Sequence, residues 1–498
     1  MKPVVTAEEM RNSEKRLFES GVPSISVMER AALRLTETLV EKLKGIDKTC
    51  IFACGSGGNG GDGYAAARLF TKKGGRAIVL SVYPPKTEDA IKNFELAKKT
   101  VFAVSDMEAL SSFPTPDAWV DCVFGTGLKQ NVDGKVKSLI ERMEEDRKKG
   151  ALVVSCDIPS GIHSDTGEIM GACVHADVTV TFEWMKRGHL LSEGKDAAGE
   201  VIVQPIGVKD EYLSEDAACL IQKEDIKEFL PRRKKTAHKN DFGHLLVIAG
   251  SFGMAGAGAM CARAALSSGA GLVTIACPES IVPVYQTLVP EAMCIPLDEQ
   301  NYVISDQALE KVMSALKGKS AVAIGPGLGR NASKRVLEAV LTSGIPSVID
   351  ADAINILSEE QNLLKLLNSS HALTPHPGEA RRLLGELSED AVYNAQKLNG
   401  FGAHSLLKGA TTVCLKNNKI LFSASGNSGM AKGGSGDVLT GIIGALIAMG
   451  ASVQDALWMG SEIHKLAGDF AMEKYGEYSM LPTDIIRCIK DAYEYILA

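Results

Sequence analysis

The chain has 498 residues, a formal net charge of −7, 45% hydrophobic and 23% charged residues, which bounds it as two or three globular domains with large buried cores. The acidic balance, with no basic stripe interleaved with aromatics, argues against nucleic acid, and no uncharged apolar run is long enough for a membrane span. Eleven cysteines without a C-x-x-C pair read as reduced thiols rather than a disulfide framework. With no apolar stretch in MKPVVTAEEM to serve as a secretory signal, the expected address is the cytoplasm.

Thr6 with Glu9, and Ser26 with Glu29, have capping-box spacing and open two expected helices that run toward Gly21 and Gly45. A strand is expected over 49–54, then a glycine-rich loop from Gly55 to Gly63. Strands at 76–83, 118–124, 151–156 and 177–182 alternate with helices at 88–99 and 132–149, which implies a parallel sheet covered on both faces. From 205 to 239 periodicity weakens and charge rises, with Pro231 and the basic run Arg232–Lys235 inside, so the domain boundary is placed there. The second half repeats the grammar: strands at 244–249, 272–276, 321–324 and 347–349, and a small-residue helix at 256–268. Each strand ends in a Gly, Pro or Asp cluster, and such clusters converge on one rim of a parallel sheet.

Near the far end, GNSGMAKGGSGDVLTGIIG runs from Gly426 to Gly444. Glycine-rich backbone leading straight into a helix gathers free N–H groups and a positive helix end, which suits a phosphate. Asp437 stands at the mouth of that helix, where it either caps or moves a proton. The loop Gly55–Gly63 contains G-x-G-x-x-G, yet Leu80, Ser81 and Val82 stand where a dinucleotide fold wants an acid for the ribose. Asp121 and Asp157 sit at strand ends before flexible residues; with Asn59 they could bind a cation through oxygen or divide acid and base work. His376 is fixed between Pro375 and Pro377, and Lys408 with Thr411 and Thr412 offers a cation and hydroxyls to phosphate. His163, His175 and His189 read as structural or surface groups. No P-loop, H-E-x-x-H, zinc-spaced set or G-x-S-x-G elbow is present.

Taken together and in order, GNGGDG (58–63), DCVFGTG (121–127), DIPSG (157–161), AGS (249–251), GPGLG (325–329), DADA (350–353), TPHPGE (374–379), KGATT (408–412) and the stretch Asn427–Asp437 resemble the bifunctional NAD(P)H-hydrate repair enzymes. The resemblance implies a Rossmann-like three-layer domain over 1–215, an epimerase of the R and S forms of hydrated NADH or NADPH. It implies a ribokinase-like α/β domain over 222–498 that dehydrates the S form at the expense of ADP, or ATP in some members. By the same resemblance Asn59, Asp121 and Ser160 hold K⁺. Gly58, Asn59, Gly60, Gly61, Asp62, Gly125, Thr126, Gly127, Leu128, Lys129, Gln130, Asn131 and Asp157 bind the epimerase substrate, with Asp157 as acid/base. Ala257, Gly327, His376 and Asp437 bind the dehydratase substrate. Lys408, Gly409, Ala410, Thr411, Thr412 and Asn427, Ser428, Gly429, Met430, Ala431, Lys432, Gly433, Gly434, Ser435 and Gly436 hold the nucleotide, with Mg²⁺ on its phosphates. Gly58 departs from the family's usual Asn and puts one substrate hydrogen bond in doubt. The expected partners are small molecules, with no nucleic acid or membrane, and association into a homo-oligomer is the default. Two other readings use the same residues: a ribokinase-like small-molecule kinase with an accessory first half, and a nucleotide-sensing scaffold without turnover.

Overall fold

The computed structural model describes residues 1–230 and 233–498; Pro231 and Arg232, the start of the basic run, lie outside the described residues. Two compact units divide the chain, Pro3–Ala217 and Ala218–Ala498 with Met1–Lys2. Between 205 and 239 the chain is no bare linker: it holds the strand Ala218–Leu220 and the helix Lys223–Phe229. Among the described residues no helix is long and apolar enough to cross a membrane.

The first unit is built on seven parallel strands, in the spatial order Phe102–Val104, Arg76–Ser81, Thr49–Cys54, Ala118–Cys122, Leu152–Cys156, Val178–Phe182 and Glu200–Gln204. The period of two sorts the central strand: Cys50, Phe52 and Cys54 join Leu35, Leu39, Tyr64 and Phe70 on one face. Ile51 and Ala53 join Trp119, Leu139 and Met143 on the other. Three layers result. The chain reverses direction across the sheet between Thr49–Cys54 and Ala118–Cys122, and the crevice beyond such a reversal is where ligands bind.

Sequence reasoning placed five of these seven strands, missing Phe102–Val104 and Glu200–Gln204, and placed the helix ends less well. The first helix, Ala7–Glu19, has its Thr6–Glu9 capping box. The second starts earlier than expected, at Ser24 behind Pro23, so Ser26 lies inside it and its box with Glu29 does not form; Glu29 pairs with Arg68 instead. Gly58–Gly63 is not loop but the opening of the helix Gly58–Lys72. Three of its glycines are packing residues, Gly60, Gly61 and Gly63, though Gly58 faces open space: a Cβ on Gly63 would stand 2.7 Å from Cys54 Sγ, and one on Gly61 2.7 Å from Met28 Sδ.

The second unit carries a larger sheet. Met293–Leu297, Leu272–Pro278, His244–Ile248, Ala321–Ile324, Ser347–Ile349, His371–Leu373 and His404–Leu407 run parallel, followed by the antiparallel strands Thr412–Lys416 and Lys419–Ser423, then Ala218–Leu220. One face is covered by the helices Ala255–Ser267, Ser435–Ala448, Val453–Tyr475 and Pro482–Leu497. Every residue from Val438 to Ala448 is buried, and each Leu or Ile so placed contributes about 1.5–3 kcal/mol. That burial anchors a helix whose first turn faces the strand ends.

Candidate active sites

In the first unit Met10, Glu14, Ser56–Asn59, Asp62, Val123–Gly127, Asp157 and Phe182 line one pocket of about 340 Å³ at the carboxyl ends of the strands. Asp157 follows its strand with φ +66, a left-handed conformation that costs a non-glycine residue on the order of 1–3 kcal/mol and is kept where structure or function requires it. Its carboxylate accepts from Thr181 Oγ1 at 3.1 Å and from the buried Lys186 ammonium. Burial alone would raise this carboxyl, but Lys186 outweighs it and holds Asp157 below the usual carboxylate range. His189 accepts from Lys186 N at 3.1 Å through Nδ1, so Nε2 donates to Asp157 O at 2.8 Å. Burial, then Lys186, pushes this imidazole down to about 4, so it is neutral. Glu14 behaves oppositely: burial first, then the charge of Asp157, raises it to about 7.

Behind the pocket wall Asp121 is fully buried. It accepts from Ser160 N at 2.8 Å, Ser160 Oγ at 2.6 Å, Ser155 Oγ at 3.0 Å and Val123 N at 3.2 Å. Asn59 Nδ2 donates to Phe124 O at 3.0 Å, while Asn59 Oδ1 is buried with no partner. An orphaned amide oxygen beside a buried carboxylate and a serine hydroxyl is a donor set for a hard cation. Asn59, Asp121 and Ser160 are thus brought together. Of the expected substrate positions, Gly58, Asn59, Asp62, Gly125, Thr126, Gly127 and Asp157 line the pocket, while Gly60, Gly61 and Leu128, Lys129, Gln130 and Asn131 are not part of its lining. Gly60 packs against Gly55 O.

In the second unit the centre is Asp350, 1% exposed, whose Oδ1 accepts from Lys408 Nζ at 2.7 Å and Oδ2 from Thr440 Oγ1 at 2.6 Å. Glu379 Oε2 lies 3.9 Å from the same ammonium, and Glu379 Oε1 lies 3.4 Å from His376 Nε2. His376 caps the helix Pro377–Leu384, Nδ1 accepting from Gly378 N at 2.9 Å. Lys408 is no solvated strand end: burial opposes its charge, but Asp350 and Glu379 raise it above its ordinary value. Asp437 does not cap its helix either. Gly434, φ +104, holds the cap position and Asp437 stands in the first turn. Burial first, then Asp350, pushes its carboxyl up to about 7.

Around this centre the glycine stretch is braced by its neighbours. Gly426 N and Asn427 Nδ2 donate to Asp469, each at 2.9 Å, and Lys465 Nζ donates to Ala410 O at 2.7 Å. Lys432 Nζ donates to Tyr478 O at 2.7 Å, so in this structure it fastens the loop to the chain. Ala257 and Gly327 meet at the reversal between His244–Ile248 and Ala321–Ile324: a Cβ on Gly327 would stand 3.0 Å from that of Ala257. A larger cavity, about 560 Å³, lies at the amino ends of the strands between Leu309 and Ile345 and gathers none of the candidate residues.

Glu14, Lys186, His189, Asp350, Glu379 and Thr440 had no functional role assigned from sequence. Three of them carried a signal: Glu379 by its place in TPHPGE, Asp350 by DADA, and Thr440 by its place in the glycine-rich stretch Gly426–Gly444.

Two α/β units, one with an ionised carboxylate facing a rim pocket and one with a titratable aspartate at a glycine-rich helix start, define a two-centre enzyme. A family model described as YjeF-related protein N-terminus matches residues 24–188, and one described as NAD(P)H-hydrate dehydratase matches 245–491. A bifunctional NAD(P)H-hydrate repair enzyme of Coxiella burnetii is 34% identical over 96% of both chains, and one of Thermofilum pendens 34% identical over 96% of this chain and 94% of its own. A ribokinase-like superfamily protein of Enterococcus faecalis superposes with a TM-score of 0.50 at 25% identity, over 57% of this chain and 98% of that one. The chain belongs to the family of bifunctional NAD(P)H-hydrate repair enzymes.

Proposed function

We propose that residues 1–215 interconvert the R and S forms of hydrated NADH and NADPH, and that residues 222–498 return the S form to NAD(P)H at the expense of ADP, with ATP as the other candidate. The observation that carries this is the placement of Asp437, poised near neutrality between the Asp350–Lys408 pair and the amides that open its helix. In the second unit Asp437 takes the proton of the hydrate's hydroxyl as that oxygen attacks the terminal phosphate. Amides of Gly434–Gly436 and the Lys408 ammonium hold the charge that develops on the transferred group. Loss of phosphate then restores the conjugated ring. Asp350 and Thr440 fix Lys408 in place, while Ala257, Gly327 and His376 position the hydrate. Residues Lys408–Thr412 and Asn427–Gly436 form the nucleotide side, where the buried Thr411 Oγ1 has no partner of its own. Mg²⁺ on the nucleotide would neutralise phosphate charge.

In the first unit Asp157 is the acid/base, with Lys186 keeping it ionised. The orphaned Asn59 Oδ1, with Asp121 and Ser160, fits K⁺, which would steady the Val123–Gly127 loop against the substrate. All eleven cysteines are free thiols, in keeping with a cytoplasmic site of action.

The test is recovery of reduced-nicotinamide absorbance from a mixture of R and S hydrates, with ADP, with ATP and with neither. Nucleotide-dependent recovery of the whole mixture is expected. Recovery of only the S fraction would sink the epimerase half, and no recovery would return the second unit to the small-molecule kinases.

A further inference from the structure

More than one carboxyl faces the first-unit pocket beside Asp157. Glu14, from the helix Ala7–Glu19, and Asp62, from Gly58–Lys72, line the same cavity of about 340 Å³. Lys186 is committed to Asp157 and also donates to Thr181 Oγ1 at 2.9 Å and Phe182 O at 3.2 Å. Glu14 has no ion-pair partner among the described residues, and the charged groups around it are Asp157, Lys186 and Arg11. Asp62 feels Asp157, Glu14, Asp89 and Lys186, and burial lifts it well above the carboxylate range. Lys186, with Arg11 also near Glu14, is therefore shared among three carboxyls. It holds the charge on Asp157, while burial lifts Glu14 to about 7, where it can hold a proton near neutrality.

We propose that Glu14 is a second catalytic group of the epimerase, the general acid that works with Asp157 across the substrate ring. The proposal rests on the epimerase reading of the first unit. In the hydrate, the carbon to be inverted bears the hydroxyl and adjoins the ring nitrogen. Glu14 gives its proton to that hydroxyl; the C–O bond breaks with both electrons on oxygen, which leaves as water. The nitrogen lone pair closes a C=N bond. A water on the opposite face attacks the carbon, the C=N π electrons return to nitrogen, and Asp157 accepts the proton this water sheds. One C–O bond has been exchanged for another of opposite hand, and one proton has moved from Glu14 to Asp157. Exchange with solvent resets the pair, and the reverse reaction uses them with roles exchanged. Two carboxyls whose surroundings drive them to opposite protonation states are the arrangement that divides acid from base.

The experiment follows conversion of pure R hydrate to S by the full chain, separated by chromatography with no nucleotide present. Dehydration of S hydrate with ADP is the control on the second unit. Glu14→Gln is expected to slow conversion about 10²-fold or more, with KM nearly unchanged and S dehydration at the wild-type rate. Glu14→Asp, which keeps a proton to give, should convert faster than Glu14→Gln, and that rescue separates lost chemistry from a misfolded pocket. A Glu14→Gln chain that converts R hydrate at the wild-type rate overturns the proposal. A wild-type chain that converts none overturns the epimerase reading beneath it, a different result read from a different sample.

Discussion

Burial beside Asp350 lifts Asp437 to about 7, and this has one consequence for rate and another for stability. In its proposed role as the base, Asp437 acts in its ionised form, so the dehydration rate should climb with pH through about 7. Its folded-state pKa lies above the unfolded value. The stability it contributes is therefore complete below about 4, the unfolded value, and is lost as pH rises through about 7. Asp437→Asn should abolish ADP-dependent dehydration and leave R-to-S conversion intact. The same variant should melt higher than wild type at pH 8, by about 2–4 °C for each kcal/mol of charge burial removed. At pH 4 the two chains should melt together, so paired melts at pH 4 and 8 check it. Loss of both reactions in a folded Asp437→Asn chain would overturn the assignment of separate centres.

Helix starts are where sequence and structure diverge most, because a start is set by its neighbours as well as by its own residues. Gly434 illustrates the local part. Its φ of +104 is open to glycine, and an added Cβ would stand 2.7 Å from Met260 Sδ. Gly434→Ala should cost about 1–3 kcal/mol in strain and raise KM for ADP about tenfold or more, checked by melting and by nucleotide titration. Buried strands such as Ala321–Ile324 announced themselves as apolar runs, and the candidate phosphate-binding stretch by its glycines. Ser26–Glu29 misled because Pro23 had already fixed the start and Arg68, far along the chain, drew Glu29 away. Gly58–Gly63 looked like loop because close packing, invisible in one dimension, is what Gly60, Gly61 and Gly63 serve. Lys186 reads as an ordinary charge in FEWMKRGH; only folding sets it against Asp157. Glu14 reads as the wet face of an amphipathic helix.

At the scale of the whole molecule, each unit brings its own titratable groups together: Glu14, Asp157 and Lys186 in one, Asp350, Glu379, Lys408 and Asp437 in the other. No residue of either set is shared. If each set works as proposed, the S hydrate made by one chain can serve as a free substrate for any other. This predicts complementation in trans. Asp157→Asn alone should leave R hydrate unrecovered with ADP, and Asp437→Asn alone should convert R to S without restoring absorbance. Mixed in equal amounts, the two variants should recover R hydrate fully, at a rate that rises with the concentration of the dehydration-competent partner. Transfer confined to a single chain predicts the reverse: a mixture no better than its components, with S hydrate neither released nor consumed. Sampling the mixture for free S hydrate during the reaction distinguishes the two, since diffusion requires it to accumulate before it decays.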